Sequence, residues 1–170
     1  METLTPLFTS QKIQERVLTL GKEITQDYQG KELIVVGVLR GAFMFMSDLV
    51  RAINLPLKCE FLRVASYNQD QSSGEIQLIA DLSDSIANTH VLIIEDIVDT
   101  GLTLKFLMKH LSEKSPQSLK TCSLLYKEVD PQIRPQIDYL GFTIPNHYVI
   151  GYGLDSKGLY RSLPYIAIHP

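Results

Sequence analysis

The sequence predicts an α/β domain built on a mostly parallel central sheet flanked by helices. Two observations carry this expectation. Short continuous apolar runs rich in β-branched residues, at Leu33–Leu39 and at residues 91–94, suit strands buried on both faces. Segments of helical periodicity lie between them, and strands alternating with helices are what a parallel α/β sheet requires. The 170 residues show no repeat, low-complexity tract or linker, so one domain over residues 1–170 is expected.

The elements follow in chain order. Ser10 reads as a helix N-cap, with Ile13, Val17, Leu20 and Ile24 on one face and Gly30 as the stop. The run at Leu33–Leu39 comes next, then a helix over about residues 42–53 and a strand over about residues 57–65. Residues 66–74 are polar and poor in core formers, so they read as an exposed loop, with a strand near residues 76–80 returning from it. A strand at 91–94, a helix at 102–111 and strands at 119–126 and 148–152 complete the reading.

Composition narrows the function classes. A formal net charge of -3 offers no basic field for nucleic acid or an anionic membrane. A polyanionic ligand would therefore need a local site or a bridging cation. Cys59 and Cys122 lie in different segments without metal-ligand spacing and read as reduced core thiols. The first ten residues lack the basic start and apolar run of a signal peptide, and no stretch approaches a membrane span, so a cytoplasmic protein is expected. His90, His110, His147 and His169 show no ligand spacing and read as structural or exposed.

The chemistry concentrates in residues 90–104, His-Val-Leu-Ile-Ile-Glu-Asp-Ile-Val-Asp-Thr-Gly-Leu-Thr-Leu. A buried strand delivers Glu95 and Asp96 at its carboxyl end, where open α/β sheets place their ligands. The turn Asp99-Thr100-Gly101-Leu102-Thr103 then enters a helix. Its small and hydroxylated residues let backbone N–H groups converge on an anion beside the positive helix end. This is a phosphate cup without the lysine-bearing ATP-type pattern. Carboxylates beside such a cup make sense if the ligand carries ribose hydroxyls, or a Mg²⁺ that offsets the repulsion.

The string resembles the phosphoribosyl-pyrophosphate motif of the type I phosphoribosyltransferases, and residues 95–101 are similar to its hypoxanthine-guanine branch. The resemblance extends to Leu39-Arg40-Gly41 as a pyrophosphate loop, often with a cis Leu39–Arg40 bond, and to Ser66-Tyr67 as the opening of a mobile lid. It also takes in Lys127 and the block from Gly141 through Tyr148 and Asp155 to Arg161. It implies a small hood from the terminal segments over the sheet. It further implies Mg²⁺-dependent transfer of phosphoribosyl from phosphoribosyl pyrophosphate to hypoxanthine or guanine, giving IMP or GMP and pyrophosphate.

In that family pattern Asp99 is the catalytic group at N7 of the base. Glu95, Asp96, Asp99, Thr100, Gly101, Leu102 and Thr103 bind the phosphoribosyl group, and Leu39, Arg40, Gly41 and Arg161 the pyrophosphate. Ile97, Lys127, Tyr148, Val149 and Asp155 face the purine, while Glu95 and Asp96 support one Mg²⁺ and Asp155 sits at a second. A homodimer or homotetramer is implied. Three rival readings are a nucleic-acid-binding regulator on the same fold, a generic nucleotide-binding α/β protein, and a xanthine-guanine enzyme. The acidic balance and Asp99 oppose the first, and the missing nucleophile or phosphate-loop lysine opposes the second.

Overall fold

The computed structural model describes residues 4–67, 75–129 and 134–169. Helix α1 (Ser10–Asp27) buries Ile13, Val17, Leu20 and Ile24, the face that its spacing predicts. Burying each such side chain stabilises the fold by roughly 1.5–3 kcal/mol. The cap is Thr9, not Ser10: the Thr9 hydroxyl accepts from the Lys12 N–H at 3.3 Å, and Ser10 is already helical.

Strands β2 (Leu33–Leu39), β3 (Leu57–Tyr67), β4 (Glu75–Ala80), β5 (His90–Val98), β6 (Ser118–Lys127) and β7 (Tyr139–Ile144) form a six-stranded sheet ordered β4-β3-β2-β5-β6-β7. All neighbours are parallel except β3 and β4. Helix α2 (Phe43–Ala52) connects β2 to β3, and α3 (Leu102–Ser112) connects β5 to β6. Chain order therefore runs outward in opposite directions from the adjacent pair β2 and β5. That makes their carboxyl ends the topological switch point, where open α/β sheets bind ligands.

Two register details open that point. Pairing of β2 with β5 ends at Gly37 and Ile94, whereas β5 stays paired to β6 as far as Val98 and Tyr126. Glu95 and Asp96 thus lie within a strand that runs on to Val98, not at its last residues as expected; β6 holds it extended after β2 has left. On the other side β3 outruns β2 by Val64–Tyr67 and pairs there with β4. Ser66 and Tyr67, expected to begin a loop, are the last residues of β3, and residues 68–74 of the expected lid lie outside the described residues.

A second sheet covers this end. Strands β1 (Pro6–Phe8), β8 (Val149–Ile150) and β9 (Ile166–Ile168) pair antiparallel in the order β1-β9-β8. It is the hood, drawn from both terminal segments. The strand expected over 148–152 shrinks to Val149–Ile150 because Gly151, Tyr152 and Gly153 all take positive φ. Cys122 is buried as expected, but Cys59 is exposed because it stands on the uncovered face of β3.

Candidate active site

The carboxyl ends of β2, β3 and β5, with the segment after β8, enclose a polar cleft of about 570 Å³. Nine of the residues picked out from sequence line it: Leu39, Arg40, Gly41, Glu95, Asp96, Ile97, Thr103, Asp155 and Arg161. The Leu39–Arg40 peptide bond is cis. Backbone contacts fix the floor. A Cβ on Gly41 would fall 1.5 Å from Asp96 Oδ2, and one on Gly153 would fall 2.1 Å from the Gly41 carbonyl oxygen. The Arg40–Gly41 turn therefore nests between Asp96 and the chain after β8, and only glycine permits either approach.

The carboxylates differ sharply. Glu95 is 4% exposed, and its Oε1 has no hydrogen-bond partner among the described residues. Burial, with Asp96 beside it, pushes its carboxyl well above the usual range. Asp96 opens onto the cleft yet is walled in by protein. Burial raises it to about 6 against the opposing pull of the Ile97 and Asp96 N–H groups and of Arg161. Asp155 is partnered at both oxygens: Oδ1 lies 2.6 Å from Arg161 Nη2, and Oδ2 accepts from the Gly158 N–H at 2.6 Å. Arg161 also donates to the Gly153 carbonyl at 2.6 Å.

Beyond the end of β5, Lys127 Nζ donates to Asp99 Oδ2 at 3.0 Å. The Lys127 side chain is only 13% exposed against 46% for Asp99, so this lysine is held by the fold and is no solvated arm. Gly101, with φ of 73°, is the N-cap of α3. Among the described residues no side chain caps that helix, and no acid sits in its first turn, so its leading N–H groups meet no side-chain acceptor there. Tyr148 is 55% exposed, donates to the Asp155 carbonyl at 2.9 Å and meets His169 edge-on, with ring centroids 5.4 Å apart.

The family model for the phosphoribosyl transferase domain matches residues 5–157. The hypoxanthine-guanine phosphoribosyltransferase of Dictyostelium discoideum is 50% identical over 94% of this chain and 92% of its own length. That of Mycobacterium avium is 44% identical over 94% of this chain and 82% of its own. The chain belongs to the hypoxanthine-guanine phosphoribosyltransferases. Crystal structures agree: a hypoxanthine phosphoribosyltransferase from Staphylococcus aureus superposes with a TM-score of 0.90 at 45% identity, covering 98% of this chain and 91% of that one. One from Trypanosoma cruzi gives 0.92 at 39% identity, covering 100% and 93%.

Within this phosphoribosyltransferase fold, the expected residues gather in two groups. The cleft group comprises the β2 turn, Glu95, Asp96, Ile97, Thr103, Asp155 and Arg161. The second, around Asp99 and Lys127, adjoins it along β5 and β6. Leu102 is half-exposed on α3 and Val149 is buried in β8, so neither side chain presents a polar contact. Arg63 also lines the cleft and was not expected. In sequence it stands in the mixed run Leu-Lys-Cys-Glu-Phe-Leu-Arg, which holds no motif that marks it.

Among the described residues, no three histidine, cysteine or acidic side chains gather closely enough to hold a metal unaided. Mg²⁺ does not need such a cage, because it usually takes one or two carboxylates and completes its shell with phosphates and water. The unpartnered Glu95 Oε1 in a cleft shared with Asp96 fits that habit. Among the described residues no helix is long and apolar enough to cross a membrane.

Proposed function

We propose that the chain salvages purines by transferring 5-phosphoribosyl from phosphoribosyl pyrophosphate to N9 of hypoxanthine or guanine, forming IMP or GMP and releasing pyrophosphate. One observation carries the reading: a donor-only lysine and a carboxylate, Lys127 and Asp99, are paired at 3.0 Å beside a polar cleft at the switch point. A 6-oxopurine offers a carbonyl acceptor at C6 and a proton at N7, which is what that pair can bind. Adenine offers an amine at C6, which opposes Lys127 donor to donor.

The residues divide the work. The C1–oxygen bond of the ribose breaks and a C1–N9 bond forms with inversion, with positive charge building on the ribose. Asp99 Oδ2 takes the N7 proton, raising electron density at N9, as Lys127 turns from Asp99 to the O6 carbonyl. Glu95 and Asp96 accept from the ribose hydroxyls. The α3 N-terminus, with Thr100 and Thr103, receives the 5-phosphate. Leu39, Arg40, Gly41 and Arg161 hold the pyrophosphate, and Tyr148 stacks on the base with Ile97, Val149 and Asp155 around it.

One Mg²⁺ would be supported by Glu95 and Asp96 and a second by Asp155, and when bound the metal would supply charge to offset the leaving group. Asp155 is paired with Arg161, so engaging a metal would loosen that pair and leave the arginine available to phosphate. Ser66 and Tyr67 belong to the lid that keeps water from the ribosyl centre. The protein works in the cytoplasm as a homodimer or homotetramer, without nucleic acid or membrane partners.

The test is turnover of hypoxanthine, guanine, xanthine and adenine with phosphoribosyl pyrophosphate and Mg²⁺. Hypoxanthine and guanine are converted and adenine is not; adenine turnover matching hypoxanthine would sink the reading. Asp99→Asn lowers kcat by about 10²–10⁴-fold, the range of general acid–base catalysis, and leaves base affinity nearly intact.

A further inference from the structure

Six charged side chains line the cleft: Arg40, Arg63 and Arg161 against Glu95, Asp96 and Asp155. Arg161 is committed to Asp155 and to the Gly153 carbonyl. The Arg63 side chain has no hydrogen bond or ion pair among the described residues, although the residue is half-buried and shares its cleft with acids. A guanidinium has five N–H donors in a fixed fork, and leaving them idle where water is partly excluded is unfavourable. Such a group is suited to an anion with several oxygens.

Position identifies which anion. Leu62 and Val64, its neighbours along β3, both pack with the cluster that α3 covers through Leu107 and Leu111. Alternation along the strand turns Arg63 to the opposite face. Arg63 is the register partner of Leu39, so it stands one strand away from the Leu39–Arg40 bond. Adjacent strands lie about 4.8 Å apart, which sets Arg40 and Arg63 side by side along one wall. The α3 N-terminus, where a monophosphate would sit, is reached across β2 and β5 from there. A donor-only group on this wall lines the cleft on the Arg40 side, two strands from β5 and the α3 N-terminus that follows it.

We propose that Arg63 is a pyrophosphate-binding residue, gripping the diphosphate group of the substrate and of the released product from the β3 side while Arg40 flanks it from β2. The proposal rests on the function given above and adds to it a residue with a defined ligand. Arg63 supplies the bidentate, charge-assisted contact that a planar fork makes with phosphate oxygens, which lysine reproduces only as a point charge.

Calorimetric binding of inorganic pyrophosphate with Mg²⁺, beside binding of GMP, separates the possibilities on Arg63→Gln and Arg63→Lys. With Arg63→Gln the dissociation constant for pyrophosphate rises about tenfold or more, the loss of a charged hydrogen-bonded contact. GMP, which lacks a diphosphate, binds as to the parent, and Arg63→Lys falls between the two. In steady state the KM for phosphoribosyl pyrophosphate rises while the KM for the base does not. Pyrophosphate binding unchanged in Arg63→Gln, or GMP lost in equal measure, overturns the assignment. A parent protein inactive on every purine that still binds pyrophosphate through Arg63 would overturn the proposed function and leave the assignment standing.

Discussion

Two acids in this molecule have opposite circumstances. Asp81, at the end of β4, accepts from the Leu82 N–H at 2.8 Å, lies 3.0 Å from His110 Nε2 and accepts from Lys114 Nζ at 2.8 Å. Burial alone would raise its carboxyl, but these partners outweigh it and hold the group at about 2. Glu95, in the cleft, is more deeply buried, and its Oε1 accepts nothing from the described residues. The first carboxylate ties the segment after β4 to α3 and stabilises the fold. The second costs stability and keeps its acceptor capacity for a ligand, which is how binding sites commonly depart from optimal packing.

The sharpest way to break this contrast is Gly41→Ala. The new Cβ overlaps Asp96 Oδ2, so the turn or the carboxylate must move. A displacement of about 1 Å at a positioned group costs on the order of 10²-fold, so kcat/KM falls by about that factor. Glu95→Gln comes next. Removing a buried acid without a partner raises Tm, while affinity for phosphoribosyl pyrophosphate drops about tenfold with the lost charge. A fall in Tm would show Glu95 to be structural after all.

Asp81→Asn does the reverse. Tm drops by about 2–4 °C, the shift that roughly 1 kcal/mol produces in a chain of this size, and kcat/KM stays at the parent value. The smallest effect is in acid. Because folding lowers the Asp81 value from 3.8 to about 2, its stabilisation is complete above the ordinary value and disappears as pH falls through about 2. An acid titration of Asp81→Asn followed by circular dichroism lacks that component, and identical acid curves for the two proteins would refute the role of this clamp.

The elements most legible in the sequence were those whose own residues decide them. Leu33–Leu39 is apolar at every position but its glycine and rich in β-branched residues, which suits a doubly covered strand. Glu95, Asp96 and the turn to Thr103 announce themselves because acids beside a small, hydroxylated helix start need a reason. What stayed hidden depends on partners distant in the chain. Pro6–Phe8 is a three-residue strand that exists only through Ile166–Ile168, which in turn pairs with Val149–Ile150. The continuation of β5 past Glu95 is imposed by β6, and the Asp99–Lys127 pair joins residues 28 apart through that same pairing. Arg63 acquires meaning only once β3 is known to lie beside Leu39.

Gly153 stacks its backbone on the Gly41 carbonyl, and Gly41 in turn abuts Asp96. Anyone diversifying this scaffold to accept a different base inherits that stack as a boundary condition. Tyr148, exposed at the rim, is open to substitution, but the two glycines must be left out of the randomised set. A side chain at either would shift the loop bearing Arg40, and a library aimed at one half of the reaction would lose the other.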